Sequence, residues 1–160
     1  MTKVICKPAM PMRLSPNFFL SELTTSEMAE RRGIDNQPDA MALANLFKVA
    51  ALLEEVRALL GNKPISPSSG YRAPALNKAV GGSDTSDHMT GEAVDFRCPS
   101  FGNPADVARA IAASGVKFGQ LIFEGTWVHI SLPNRAKNQE VLTAKFARGK
   151  KTRYIPGIHT

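Results

Sequence analysis

Apolar residues recur at spacings of three and four along one stretch of the chain: Leu43, Leu46, Phe47, Ala50, Leu53, Val56 and Leu60. That period puts them on one stripe of a helix. Asp39 precedes the run as an N-cap and Gly61 follows it as a stop, so the stripe is expected to be the heart of the core. Upstream, Ser15-Pro16 predicts a short helix, with serine as cap and proline at the first helical position. Thr24 to Glu27 reads as a capping box for a second helix that Gly33 closes. Residues 1–14, with Pro8 and Pro11, read as an irregular lead. Further on, 93–97 is strand-like, and Asn103-Pro104 opens a helix with Val107, Ala108 and Ile111 inward and Gly115 at its end. Residues 121–124 and 127–132 read as strands joined by a two-residue hairpin loop, Gly125-Thr126. The stretch from Lys63 to Asp87 is rich in Pro, Ser and Gly, with room for one short helix after Ala73-Pro74. Such a loop inside a compact domain is functional or disordered. Helices come first and mixed elements later, so the pattern predicts an α+β fold with N-terminal helices packed on a small antiparallel sheet.

Composition narrows this. With 160 residues, 43% apolar and 21% charged, the chain is expected to form a single globular domain, 1–160, and not a disordered or fibrous protein. The most apolar stretch, 41–60, contains Lys48, Glu54, Glu55 and Arg57 and is not a membrane span. The first residues hold no apolar run of signal-peptide length, so the expectation is a protein made without a classical export signal. Cys6 and Cys98 form no Cys-x-x-Cys pair and are expected as reduced thiols. Only His88, His129 and His159 are available for metal or acid–base work, and His159 is expected at the surface.

Charge is placed unevenly. From Arg135 to Arg153 seven basic residues face one acid, Glu140, so this segment alone carries the net +6. It suits an anionic partner, or else a solvated surface. Only Phe146 and Tyr154 lie among these charges, so a stacking platform for nucleic acid is not expected.

Chemistry concentrates in Ser86-Asp87-His88-Met89-Thr90-Gly91-Glu92-Ala93-Val94-Asp95. A histidine sits in a polar, glycine-punctuated loop. Seven residues on, an aspartate sits inside an apolar strand, where propensity disfavours it and burial demands a partner. Zinc would supply one; a capped loop or a salt bridge explains the pair as well. The hairpin adds to it. A two-residue loop sets Glu124 opposite Trp127 and Ile122 opposite His129, so all four project to one face and Glu124 lies diagonally beside His129. A two-histidine, one-carboxylate set leaves a fourth zinc position open for water, and Glu124 would be the nearby base. A hydrogen-bonded Glu–His pair on a solvated face is the plainer alternative.

Ser86-x-His88-x-x-Gly91-x-Ala93-x-Asp95, followed by Trp127-x-His129, resembles the peptidase M15 family, whose members include zinc D-alanyl-D-alanine carboxypeptidases and bacteriophage peptidoglycan peptidases and whose fold is shared by the hedgehog signalling domain. The likeness runs from about Leu14 to Leu132, with 133–160 as a basic C-terminal segment; Ser69-Gly70-Tyr71-Arg72, Asn77 and Gly81-Gly82-Ser83 resemble the family's upstream loop. The resemblance implies one zinc per chain held by His88, Asp95 and His129, Arg72 on a substrate carboxylate or developing oxyanion, and Ser86 orienting the first ligand or substrate. Trp127 is expected as a wall of the substrate cleft. Several branches of the family carry the catalytic carboxylate three residues before the second histidine; Thr126 stands there and cannot act as a base, which leaves Glu124. The implied activity is a zinc peptidase cutting the peptidoglycan stem peptide, either between L-Ala and D-Glu or between terminal D-Ala residues. The chain's features suit a monomeric phage endolysin that accumulates in the host cytoplasm and reaches the wall at lysis, its basic segment holding anionic envelope polymer. A zinc-containing wall-binding module without turnover is the alternative.

Overall fold

The computed structural model describes residues 10–160; Cys6, Pro8 and most of the irregular lead lie outside the described residues. A two-stranded ribbon, β1 (Arg13–Ser15) and β2 (Phe18–Phe19), opens the description. Ser15 thus ends β1 and Pro16 opens the turn between the strands, so no helix starts there. Proline's fixed φ suits either role, and the local sequence does not separate them. The first helix, α1 (Leu20–Thr24), begins four residues later, with the Glu22 carboxylate accepting from the Phe19 N–H at 2.7 Å. The expected Thr24 capping box is also displaced. Thr24 donates its hydroxyl to the Leu20 carbonyl, and α2 (Glu27–Arg32) is capped by Ser26, whose Oγ accepts from the Ala29 N–H. Gly33 closes α2 at φ 61°, as its sequence position requires.

The long helix α3 (Ala40–Leu59) starts at Asp39, whose carboxylate accepts from the Ala42 N–H at 2.7 Å. Leu46, Ala50, Leu53, Val56 and the capping Leu60 are buried as the period predicts. The buried face also takes in Ala42, Val49 and Leu52, while Leu43 is half-buried and Phe47 is 44% exposed. The stripe is therefore rotated away from Phe47 and toward Val49.

Six strands form the main sheet in the order β3 (Ser66–Ser69), β4 (Ala93–Arg97), β6 (Val128–Ser131), β5 (Gln120–Phe123), β7 (Glu140–Lys145), β8 (Arg153–Pro156). It is mixed, with β5 and β7 parallel, and not the small antiparallel sheet the sequence predicts. The extra strands come from before and after the predicted ones. Ser-Pro-Ser-Ser supplies edge strand β3, and the basic segment after 132 folds into β7 and β8. The predicted short helix α4 (Pro74–Ala79) and helix α5 (Pro104–Ala112) are present, the latter capped by Asn103.

Strand alternation divides the sheet into two faces. Val94 and Phe96, Leu121, Val128 and Ile130 point inward and merge with residues of α3 and α5 into one core, which also holds the free thiol of Cys98. The opposite face is read across the register: Asp95 pairs with His129, His129 with Ile122, and Ile122 with Leu142. This second face forms the floor of a cleft. No described helix is long and apolar enough to cross a membrane.

Candidate metal centre

Three short stretches of sequence bring the candidate ligands together. Ser86 caps a single 3₁₀ turn, Asp87–Thr90, by accepting from the His88 N–H, and Gly91 ends that turn at φ 73°. His88 is thereby fixed just ahead of β4. Asp95 is the middle residue of β4, and His129 lies directly across from it on β6. All three side chains are buried, and one ligand atom from each lies within 4.8 Å of the others. His159, exposed at the far end and bonded to the Pro156 carbonyl, is not part of the group.

The hydrogen bonds test whether a cation fits. His88 Nδ1 lies 2.7 Å from the Gly70 carbonyl oxygen, which can only accept, so Nδ1 carries the proton. In the neutral imidazole Nε2 then presents a lone pair to Asp95 Oδ1 at 3.2 Å. His129 Nδ1 lies 2.9 Å from the same Oδ1. Two imidazoles converging on one carboxylate oxygen need either protons or a metal ion between them. A backbone carbonyl holding the remote nitrogen of a histidine is the usual second support of a metal ligand. The donor set, two nitrogens and one oxygen, suits zinc.

Asp95 is the centre of this arrangement. Burial alone would raise its pKa, but when protons rather than a metal lie between the three groups, the charge of His88 and the hydrogen bonds from His129 and His88 outweigh burial and hold the carboxyl well below the usual carboxylate range. Its second oxygen, Oδ2, accepts from Arg72 Nη2 at 3.2 Å. Arg72 also donates to Ser69 Oγ and Asn77 Oδ1, and its backbone N–H bonds the His88 carbonyl. The arginine is thus tied to a ligand carboxylate, with two of its five N–H groups left for the cleft. Asn77, Ser69 and Gly70 join the site as supports. The upstream loop signalled them in sequence, but their partners are visible only in three dimensions.

Gly70 shows how tight this support is. A Cβ there would collide with the Leu23 carbonyl oxygen and lie 2.8 Å from Leu23 Cα. Gly70→Ala should push β3 from α1, shift the carbonyl that holds His88, and weaken zinc binding by roughly 10–100-fold. Competition with a chelating dye, read beside a thermal melt, checks it; unchanged zinc affinity would show that the Gly70 carbonyl does not matter to the metal.

Glu124 follows β5 at the hairpin predicted from sequence. Its N–H bonds the Trp127 carbonyl at 3.0 Å, and Gly125 turns at φ 76°. Glu124, Trp127, His129 and Arg72 all line the cleft, of about 910 Å³, together with Ser86. Glu124 is half-buried. Burial first, then the Asp95 charge, push its carboxyl up to about 7, against the opposing pull of His129 and Arg72. A carboxylate poised near neutrality beside a metal centre is suited to exchange protons. Trp127 forms a wall, its ring centroid 6.4 Å from that of Phe146. Asp87 also borders the cleft but is bound to Lys137 Nζ at 2.7 Å. The aromatic residues of the basic segment, Phe146 and Tyr154, face this cleft too.

A buried two-histidine, one-carboxylate group on the floor of a cleft, with a free carboxylate alongside, defines a metal-dependent hydrolase class of site. The chain belongs to the peptidase M15 family, whose sequence model matches residues 16–131. It is also 38% identical, over 63 residues, to a zinc D-Ala-D-Ala carboxypeptidase of Streptomyces albus G. That stretch covers 39% of this chain and 25% of the relative, so the chain spans about a quarter of the length of the curated relative it matches. Zinc is the metal that the family and this relative indicate, and the His–Asp–His group could bind one ion.

Proposed function

We propose that the protein is a zinc peptidase that hydrolyses a peptide bond in the stem peptide of peptidoglycan, with His88, Asp95 and His129 as ligands. The observation that carries this reading is the convergence of three ligand atoms within 4.8 Å on a cleft floor that Glu124 also borders. When bound, zinc supplies Lewis acidity toward a carbonyl oxygen and toward water. The chain's own residues do the rest. Glu124 accepts the proton of the attacking water and passes it to the leaving amine. Arg72 orients Asp95 and offers its remaining N–H groups to anionic oxygen of substrate or transition state. Ser86 holds the His88 turn, and Trp127 walls the substrate.

The relative's name supports a carboxypeptidase cut between terminal D-Ala residues; an endopeptidase cut between L-Ala and D-Glu is the other form of the same chemistry. In the proposed biology the protein is a phage endolysin, held in the host cytoplasm until lysis. Digestion of purified muropeptides followed by mass spectrometry tests this reading. A defined loss of D-Ala, or a split at L-Ala, supports it. No product from any wall fragment, by a protein carrying one zinc, would favour the wall-binding module instead.

The basic segment is proposed to hold anionic envelope polymer. Lys145, Arg148, Lys150, Lys151 and Arg153 are all exposed, on β7, β8 and the loop between them. Neutralising these five should lower activity on whole walls and flatten its salt dependence, because exposed charges act through a screened field. Activity on a small soluble peptide should stay near wild type. Equal losses on both substrates would show that the charges serve the fold instead.

A further inference from the structure

The ribbon β7–β8 lies beyond residues 16–131, the segment that the family model matches, yet it forms one wall of the metal cleft. Glu140, Leu142 and Phe146 from one strand and its end, and Thr152 and Tyr154 from the other and its start, line it. The register explains why. Phe123 pairs with Thr143, so Glu124 comes next to Ala144, and Ala144 pairs with Tyr154. Glu124 and Tyr154 therefore sit on one rung of the sheet, two strands or roughly 10 Å apart. Ala144 between them is buried, while Glu124 and Tyr154 both line the cleft.

We infer that Tyr154 is a substrate-binding residue whose hydroxyl donates a hydrogen bond to a backbone carbonyl of the wall peptide, bound in the cleft that Tyr154 shares with Glu124. This rests on the peptidase reading above. Three observations support it. The Tyr154 side chain is 51% exposed, so its burial is not what holds the ribbon in place. Its hydroxyl has no hydrogen-bond partner among the described residues, whereas the neighbouring inward hydroxyl of Thr143 is fully engaged with the Gly157 carbonyl and the His159 N–H. Burial, followed by the Glu124 and Asp95 carboxylates, holds the phenol above its ordinary pKa, so it keeps its proton and acts as a donor. The Trp127–Phe146 pair lies at the same end of the cleft, on the rung of Glu124 and just past it, and would face a side chain or sugar of the same ligand.

The test is binding of a purified disaccharide–pentapeptide muropeptide to zinc-loaded protein by calorimetry, in a Glu124→Gln background that prevents turnover. Adding Tyr154→Phe should weaken binding roughly tenfold, the scale of one net hydrogen bond, with one zinc per chain and an unchanged melting temperature. Binding within twofold in the Tyr154→Phe protein, when the Glu124→Gln parent binds, overturns the tyrosine assignment and leaves the peptidase reading standing. A parent that binds no muropeptide, together with a wild type that cleaves none, overturns that reading and this inference with it.

Discussion

Replacing His129 with alanine should strip the protein of zinc and bring muropeptide hydrolysis to background. His129 Nδ1 and His88 Nε2 approach one oxygen of Asp95, so the three act as a unit. With either imidazole gone, two donors remain, too few for a four-coordinate site with one open position. The loss should exceed the roughly 10–100-fold typical of a supporting residue. Metal analysis after dialysis should show about one zinc per chain in wild type and little in His129→Ala or His88→Ala. Retention of one-to-one zinc in both variants would end the ligand assignment. Because the imidazoles must be unprotonated to bind metal, zinc affinity should fall as pH drops below the histidine range.

Glu124→Gln should leave zinc in place and cost at least ~100-fold in turnover, the scale for losing a positioned general base. Glutamine keeps the size of the side chain but cannot accept the proton. Trp127→Phe, across the hairpin, should cost far less, since an aromatic wall remains beside Phe146. A second readout comes from stability without metal. The Glu124 carboxyl is raised to about 7 from 4.5, so the folded state favours its protonated form. Below pH 4.5 the group is protonated in folded and unfolded chains alike and imposes no penalty. As pH rises toward 7 the unfolded chain ionises first, and the folded state becomes progressively less stable relative to it. Glutamine removes that penalty. Metal-free Glu124→Gln should therefore melt above wild type at pH 8, by roughly 1–3 kcal/mol, with the gain gone by pH 4. A near-normal rate in the variant would move the base elsewhere. Asp87 is the next acid on the cleft, although Lys137 already occupies it.

The hairpin was the most legible part of the site. A two-residue loop fixes register, so the pairing of Ile122 with His129 and the placement of Glu124 opposite Trp127 could be deduced from Gly125-Thr126 alone. The aspartate in an apolar strand was readable only in part: its burial called for a partner, but its position in the sequence did not say whether that partner is a metal or a salt bridge. Strand β3 was not readable. Ser66-Pro67-Ser68-Ser69 has no apolar alternation, and proline is tolerated there because the strand is an edge with a bulge. Strands β7 and β8 were hidden differently: their basic residues read as a solvated tail, and a parallel pairing with β5 leaves no turn signal in the sequence. The link from Arg72 to Asp95 was hidden as well, because sequence names a cation but not which anion it meets.

The parallel join of β7 to β5 separates two tasks in space. Every candidate ligand lies on or before β4 and on β6, on one side of β5, while the ribbon that walls the cleft lies wholly on the other. Residues 133–160 reach the ligand set through β5 and through the contact of Lys137 with Asp87. A different ribbon grafted onto the same edge would present a new set of side chains to the substrate while the strand neighbours of His88, Asp95 and His129 stay as they are. On the proposed reading, one substrate-facing wall thus stands on a piece of chain separate from the one that carries the metal ligands, and that wall can be altered without the metal site being rebuilt.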